Sequence, residues 1–312
     1  MGKHEEIPRF LNADGTKNSG HARKLRQLLR YSKNSKEREI KPEIIDALND
    51  AIESFIVNEL GVNVKWEKIP PHAIFIDNRH HSRGESAFYI ANKQRIGIYE
   101  SYINSRELPA IIKVLLHEMI HLSSIHILRK GHPILKRFSI QSTKLNHKGE
   151  MLRFGNGFDE ALTEEIAKYI WYLRFDNSNE EQKYIKQAVY NHQDFKPHLM
   201  DPDDILYIKF DKTGGFSKKD LVPFTYIEQR RVLRYVAKKI LEHNPKHFLS
   251  LRNVYFMLFR MKYKPNISQE AGFIDKAIGA GAFRILMRMG TRPKQAKQTF
   301  DALEKLYTKN IN

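Results

Sequence analysis

Cysteine is absent from the chain. That excludes a disulfide scaffold, an iron–sulfur protein, a cysteine-ligated zinc site and a thiol nucleophile. No uninterrupted apolar run approaches the roughly 18 residues that a membrane-spanning helix requires. The opening Met1-Gly2-Lys3-His4-Glu5-Glu6-Ile7-Pro8 lacks the apolar core of a secretory signal, so the expected location is intracellular, in the cytoplasm. No internal repeat or low-complexity tract interrupts the sequence. What is present is globular in kind: 312 residues, 41% hydrophobic and 29% charged, enough to bury a substantial core.

The net charge of +17 is unevenly distributed. Residues 205–312 carry 22 Lys+Arg against 8 Asp+Glu, and residues 1–41 carry 11 against 5. The stretch 42–204 carries 20 against 23 and is slightly acidic. Three regions follow: a polar basic lead-in (1–41), a slightly acidic central domain (42–204) and a basic helical C-terminal region (205–312). Basic flanks fit nucleic acid, an anionic surface or an acidic partner. A solvated helical surface explains such flanks as well, so nucleic acid is not the favoured partner.

Apolar spacing places a helix from Pro42 to Leu60, stopped by Gly61. Short alternating or apolar runs then predict a small sheet from Val62/Val64/Trp66, Ala73–Ile76, Ala87–Ile90 and Arg95–Tyr99. A long helix follows from Ser105 to about Arg129, apolar most of the way round, as suits the middle of a domain. A hairpin, Phe138–Leu145 with Met151–Phe154, precedes a second helix over 158–173. After Gly214-Gly215 the pattern is helical over 217–243, 247–263, 268–289 and 293–308. The fold class expected is α+β, mostly α.

The long helix contains His117-Glu118-Met119-Ile120-His121. Histidines at i and i+4 project from one helical face and can share one metal ion, with the adjacent glutamate within reach of a water on that ion. Composition alone would place such a pattern by chance roughly 0.04 times in a chain of this make-up. Two histidines and a carboxylate inside an apolar helix are costly to bury without a metal or other partners. A zinc site of this kind needs a third protein ligand and leaves a fourth position for water. Two candidates compete. Glu160 and Glu164 share a face near the start of the second helix; one could bind the metal while the other accepts a hydrogen bond from a ligand histidine. His132, in Gly131-His132-Pro133, is the alternative.

His117–His121 followed by Asp159-Glu160-Ala161-Leu162-Thr163-Glu164 resembles the gluzincin metallopeptidases, the thermolysin-like branch of the zincins. The resemblance spans about 75 residues, from Arg95–Tyr99 to Trp171. It implies a zincin-like core, a small mixed sheet plus active-site helix, with zinc (Zn2+) held by His117, His121 and Glu160. It further implies Glu118 as general base, Glu164 as the carboxylate orienting a ligand histidine, and a protein or peptide substrate. The strand Arg95–Tyr99 resembles the edge strand that holds substrate extended. The family's transition-state donors have no clear counterpart; Tyr169, Tyr172, Tyr226 and His126 are candidates. A weaker resemblance runs through Leu115–His121, Gly131-His132-Pro133 and Phe138 to the SprT/Spartan-type proteases, which act on DNA-crosslinked proteins. It would make His132 the third ligand but leaves Glu160 and Glu164 unexplained. Other readings are a non-catalytic zinc-containing module that binds nucleic acid or a partner, and a latent protease covered by its own C-terminal helices.

Overall fold

The computed structural model describes residues 42–62, 68–78, 86–90, 95–106, 108–128, 135–138, 142–145, 151–174, 205–208, 221–264 and 266–311. Expectations that fall on the lead-in 1–41, on Val64/Trp66, on His132 and on the start of the helix at 217–220 lie outside these residues. The fold is mostly helical with a small mixed sheet. No helix among the described residues is long and apolar enough to cross a membrane.

Helix α1 (Pro42–Ser54) opens on a proline, whose missing N–H is harmless in a first turn, and continues into a wider turn over Phe55–Glu59. It ends at Gly61, where φ is +61°. Its buried face carries Ile44, Ile45, Leu48, Ile52, Phe55 and Ile56. Buried Asn49 makes two hydrogen bonds to the backbone of Ile69, at 2.8 and 3.0 Å, and so fixes the chain entering the sheet.

The sheet contains β1 (Ile74–Asp77), β2 (Ala87–Ile90) and β3 (Arg95–Tyr99), in the order β1-β3-β2. β3 pairs parallel with β1 and antiparallel with β2. Arg95–Tyr99 is therefore the central strand, which corrects its expected place at the edge. The physical reason lies in its composition. Ile96, Gly97, Ile98 and Tyr99 are all buried, as befits a strand covered on both sides. Gly97 is required there, because a Cβ would collide with the rings of Phe75 and Phe88 packed over it.

After α2 (Glu100–Ser105), α3 (Leu108–Ser123) packs against β2, β3 and α1 with every residue from Ala110 to His121 buried. It stops six residues before the expected Arg129, where the hydroxyls of Ser123 and Ser124 take over the carbonyls of Ile120 and His121. The following Ile125–Leu128 alternates and becomes strand β4, antiparallel to β5 (Leu135–Phe138). The expected hairpin forms as β6 (Ser142–Leu145) with β7 (Met151–Phe154). Helix α4 (Asn156–Arg174) then packs on α3.

Strand β8 (Ile205–Ile208) pairs with β9 (Leu221–Pro223) where helix was expected; Pro223 and its effect on the preceding residue keep the helix from starting earlier. Helices α5 (Ile227–His243), α6 (Leu251–Tyr263), α7 (Ser268–Ile278), α8 (Ala282–Leu286) and α9 (Pro293–Ile311) complete the chain. The expected helix over 268–289 is broken by Gly279 and Gly281, with φ of +141° and +89°. α4 packs on α5 and α6, and one core cluster joins Ile44–Trp171 to Phe224–Leu303. The acidic centre and the basic C-terminal region share that core. Tyr255, Phe256 and Phe259 belong to it as an aromatic stripe packed with Phe55 and Tyr169.

Candidate metal centre

Helices α3 and α4 bring the expected residues together. His117 Nε2 lies 3.1 Å from His121 Nε2 and 3.1 Å from Glu160 Oε2, and His121 Nε2 lies 3.2 Å from the same oxygen. The three side chains form a group that can hold a metal ion. The near-equilateral triangle passes a geometric test. Donors about 2.0–2.1 Å from a small divalent ion at tetrahedral angles stand about 3.3 Å apart.

The other nitrogen of each imidazole is anchored by a carboxylate. His117 Nδ1 meets Glu164 Oε2 at 2.6 Å, and His121 Nδ1 meets Asp159 Oδ2 at 3.1 Å. These contacts fix each ring so that its Nε2 faces the centre. Each carboxylate is in turn held by a buried lysine. Lys113 Nζ sits 2.5 Å from Glu164 Oε1, and Lys262 Nζ sits 2.6 Å from Asp159 Oδ1. Glu164 also accepts from the Thr225 backbone N–H and, at 2.8 Å, from the Thr225 hydroxyl. Around the ion position, the carboxylates Glu118, Asp159, Glu160 and Glu164 face the lysines Lys113 and Lys262.

Two tyrosines flank the rings. Tyr89 of β2 stacks on His121 with centroids 5.0 Å apart, and Tyr226 stacks on His117 at 5.9 Å. The Tyr226 hydroxyl also reaches the Glu160 carboxylate. Tyr226 is the one described non-glycine residue with positive φ, +55°, a left-handed conformation that costs on the order of 1 kcal/mol or more. That strain turns its ring inward from the residue before α5. Glu118 is buried beside the triangle and, among the described residues, has no hydrogen-bond partner. Burial raises its carboxyl above the usual range, against the pull of His117 and His121.

The remaining shifts describe the metal-free centre. Burial opposes charge on His117, but hydrogen bonds to Glu160 and Glu164 outweigh it and raise its pKa to about 10. His121 is raised too: burial is overcome by Glu160 and Asp159. Burial opposes ionisation of Asp159, yet Lys262 and His121 hold its pKa at about 2. Glu160 and Glu164 likewise fall below the ordinary carboxylate value despite burial, through the histidines and, for Glu164, Lys113.

Tyr169 lies in the core against Phe55, and Tyr172 packs on Phe224, so of the tyrosines considered only Tyr226 reaches the histidines. Asp159, Lys113, Lys262, Thr225 and Tyr89 went unassigned in the sequence. Two of them left a signal. Lys113 is the one lysine of apolar α3 and precedes His117 by one turn, and Lys262 stands between the apolar Met261 and Tyr263 at the end of α6. Comparison with family models, with curated proteins and with solved structures finds no match to this chain.

Proposed function

We propose that the chain is a zinc-dependent peptide hydrolase of gluzincin type, with a zincin-like core. The reading rests on one observation: the triangle of His117 Nε2, His121 Nε2 and Glu160 Oε2, each edge 3.1–3.2 Å, with Glu118 buried beside it. The donor set, two imidazoles and a carboxylate without sulfur, suits zinc in a hydrolytic site. When bound, zinc supplies Lewis acidity, lowering the pKa of a coordinated water toward about 7 and polarising a carbonyl.

Glu118 takes the proton of the attacking water and delivers it to the leaving amine. Its desolvated carboxylate is a stronger base than an exposed glutamate. Glu164 and Asp159 hold the two imidazoles, and Tyr226 offers a hydroxyl beside Glu160 that can stabilise developing charge on the substrate oxygen. β2 replaces β3 as the strand on which an extended peptide pairs. Among the described residues no strand pairs with its outer edge, and its Tyr89 touches His121. The donor triangle supports Glu160 over His132 as third ligand.

The test is zinc content and hydrolysis of an unfolded protein by Glu118→Gln. Retained zinc with activity lowered about a hundredfold or more is expected. Full activity in that variant, or in chelated wild-type protein, overturns the proposal.

A further inference from the structure

The basic charge of the C-terminal region has a focus. Between Asp275 and Asp301, residues 276–300 contain six cations and no acid: Lys276, Arg284, Arg288, Arg292, Lys294 and Lys297. All six are exposed. Among the described residues none of the last five forms an ion pair. Asp275, at the start of the run, is committed to the backbone N–H of Phe283 at 2.7 Å.

Those five lie on the corner formed by α8, the turn that follows it and the first turns of α9, two helices that pack together. Arg284 and Arg288 are one helical turn apart, because the turn of α8 continues through Arg288 N to Ile285 O at 3.0 Å. Arg292 immediately precedes α9; its carbonyl receives the first helical hydrogen bonds, from Gln295 and Ala296. Lys294 and Lys297 follow at i and i+3 on the first turns of α9. The positive end of the α9 dipole adds to the same field.

This corner is fixed to the metal-binding helix. Met287 O accepts from Gly155 N at 2.7 Å and Met289 O from Gly157 N at 3.0 Å. A Cβ at Gly157 would strike the Gly290 carbonyl, so glycine alone permits the approach. Gln229 Nε2 adds hydrogen bonds to Gly290 O and Thr291 O at 3.2 and 2.7 Å. Gly157 stands three residues before Glu160 on α4.

We infer that the α8–α9 corner binds the phosphate backbone of a nucleic acid and holds it against the start of the metal-site helix. A rigid array of single-sign charges fits a polyanion of regular charge, and a DNA duplex carries one charge per about 1.7 Å of its axis. Phe283, Ile285 and Met287 on the same segment pack against the core, so no exposed aromatic of the corner offers stacking for sequence readout. Recognition is electrostatic and independent of sequence.

Fluorescence anisotropy with mixed-sequence single- and double-stranded oligonucleotides tests this on the full chain, across salt concentrations. Five phosphate contacts predict a slope of log K against log salt of about −4.5 for duplex and about −3.5 for single strands. Arg288→Gln/Lys294→Gln should shallow the slope by about 2 and weaken binding at least about tenfold at low salt. The control Lys246→Gln/Lys309→Gln makes the same change in net charge away from the corner and should bind like wild type. Equal losses in the two double variants would assign binding to overall charge and overturn the inference. So would no binding at about 50 mM salt, or tighter binding to phosphatidylserine vesicles or polyglutamate than to the oligonucleotides. The inference stands apart from the hydrolase reading, because binding is measured without substrate turnover.

Discussion

Metal uptake by the chelated protein should expel about one proton at pH 7. The Nε2 atoms of His117 and His121 stand 3.1 Å apart, a hydrogen-bonding distance at which one ring donates and the other accepts. A cation needs the lone pair of both, so the donated proton must leave. The pKa of His117 is raised to about 10, so at pH 7 the centre is almost fully in the form that carries this proton. Displacing it across three pH units costs about 4 kcal/mol of metal-binding free energy, at about 1.4 kcal/mol per unit. Apparent affinity should therefore rise about tenfold per pH unit, or about a hundredfold from pH 6.5 to 8.5. Isothermal titration calorimetry in buffers of contrasting ionisation enthalpy counts the protons directly. Heats that do not depend on the buffer, or an affinity flat across those two pH units, would refute the arrangement of histidines and carboxylates described above.

Linkage gives the metal-free protein a matching stability profile. His117 is raised from 6.5 to about 10, so its contribution is complete below pH 6.5 and is lost as pH climbs through about 10. Asp159 is lowered from 3.8 to about 2, so its contribution holds above pH 3.8 and disappears as pH falls through about 2. Thermal scans of chelated protein should show Tm falling from pH 6.5 to 10, and metal-loaded protein should lose less over that range. Glu160→Ala should abolish tight metal binding by dialysis and metal analysis, whereas Glu164→Gln should weaken it about 10- to 100-fold and leave the ligand set intact. Lys262→Met should lower stability by about 3–5 kcal/mol in chemical denaturation, because it removes the buried ammonium facing the Asp159 carboxylate, in a pair whose side chains are 0% and 2% exposed. Arg231→Met, which breaks the pair with Glu228 at 44% and 38% exposure, should change stability by about 1 kcal/mol or less.

Local information was enough for the first half of the centre. His117, Glu118 and His121 lie within one helical turn, and helical periodicity alone puts the two imidazoles on one face. Glu160 and Glu164 were legible for the same reason, as an i, i+4 pair on a partly buried helix. Several strands, β2 and β3 among them, were readable from alternation and apolar runs, and Gly61, Gly279 and Gly281 act as chain breaks at positive φ. Elements failed where a non-local partner overrode periodicity. Ile125–Leu128 leaves the helix because Leu135–Phe138 is there to pair with it, and Leu221–Pro223 becomes strand against Ile205–Ile208.

What the sequence by itself determined is the chemistry within reach: no thiolate, a histidine pair on an apolar helix, acidic residues at the head of another, and basic charge concentrated towards the C-terminus. Each follows from residue type and from a separation of a few positions along one helix. Only the tertiary structure decided which groups complete the centre. Lys262 meets Asp159 across 103 positions and Thr225 meets Glu164 across 61. It also placed β3 in the middle of its sheet, leaving β2 as the edge nearest His121. Strand order and long-range ion pairs depend on which elements bury one another, and no local period encodes that.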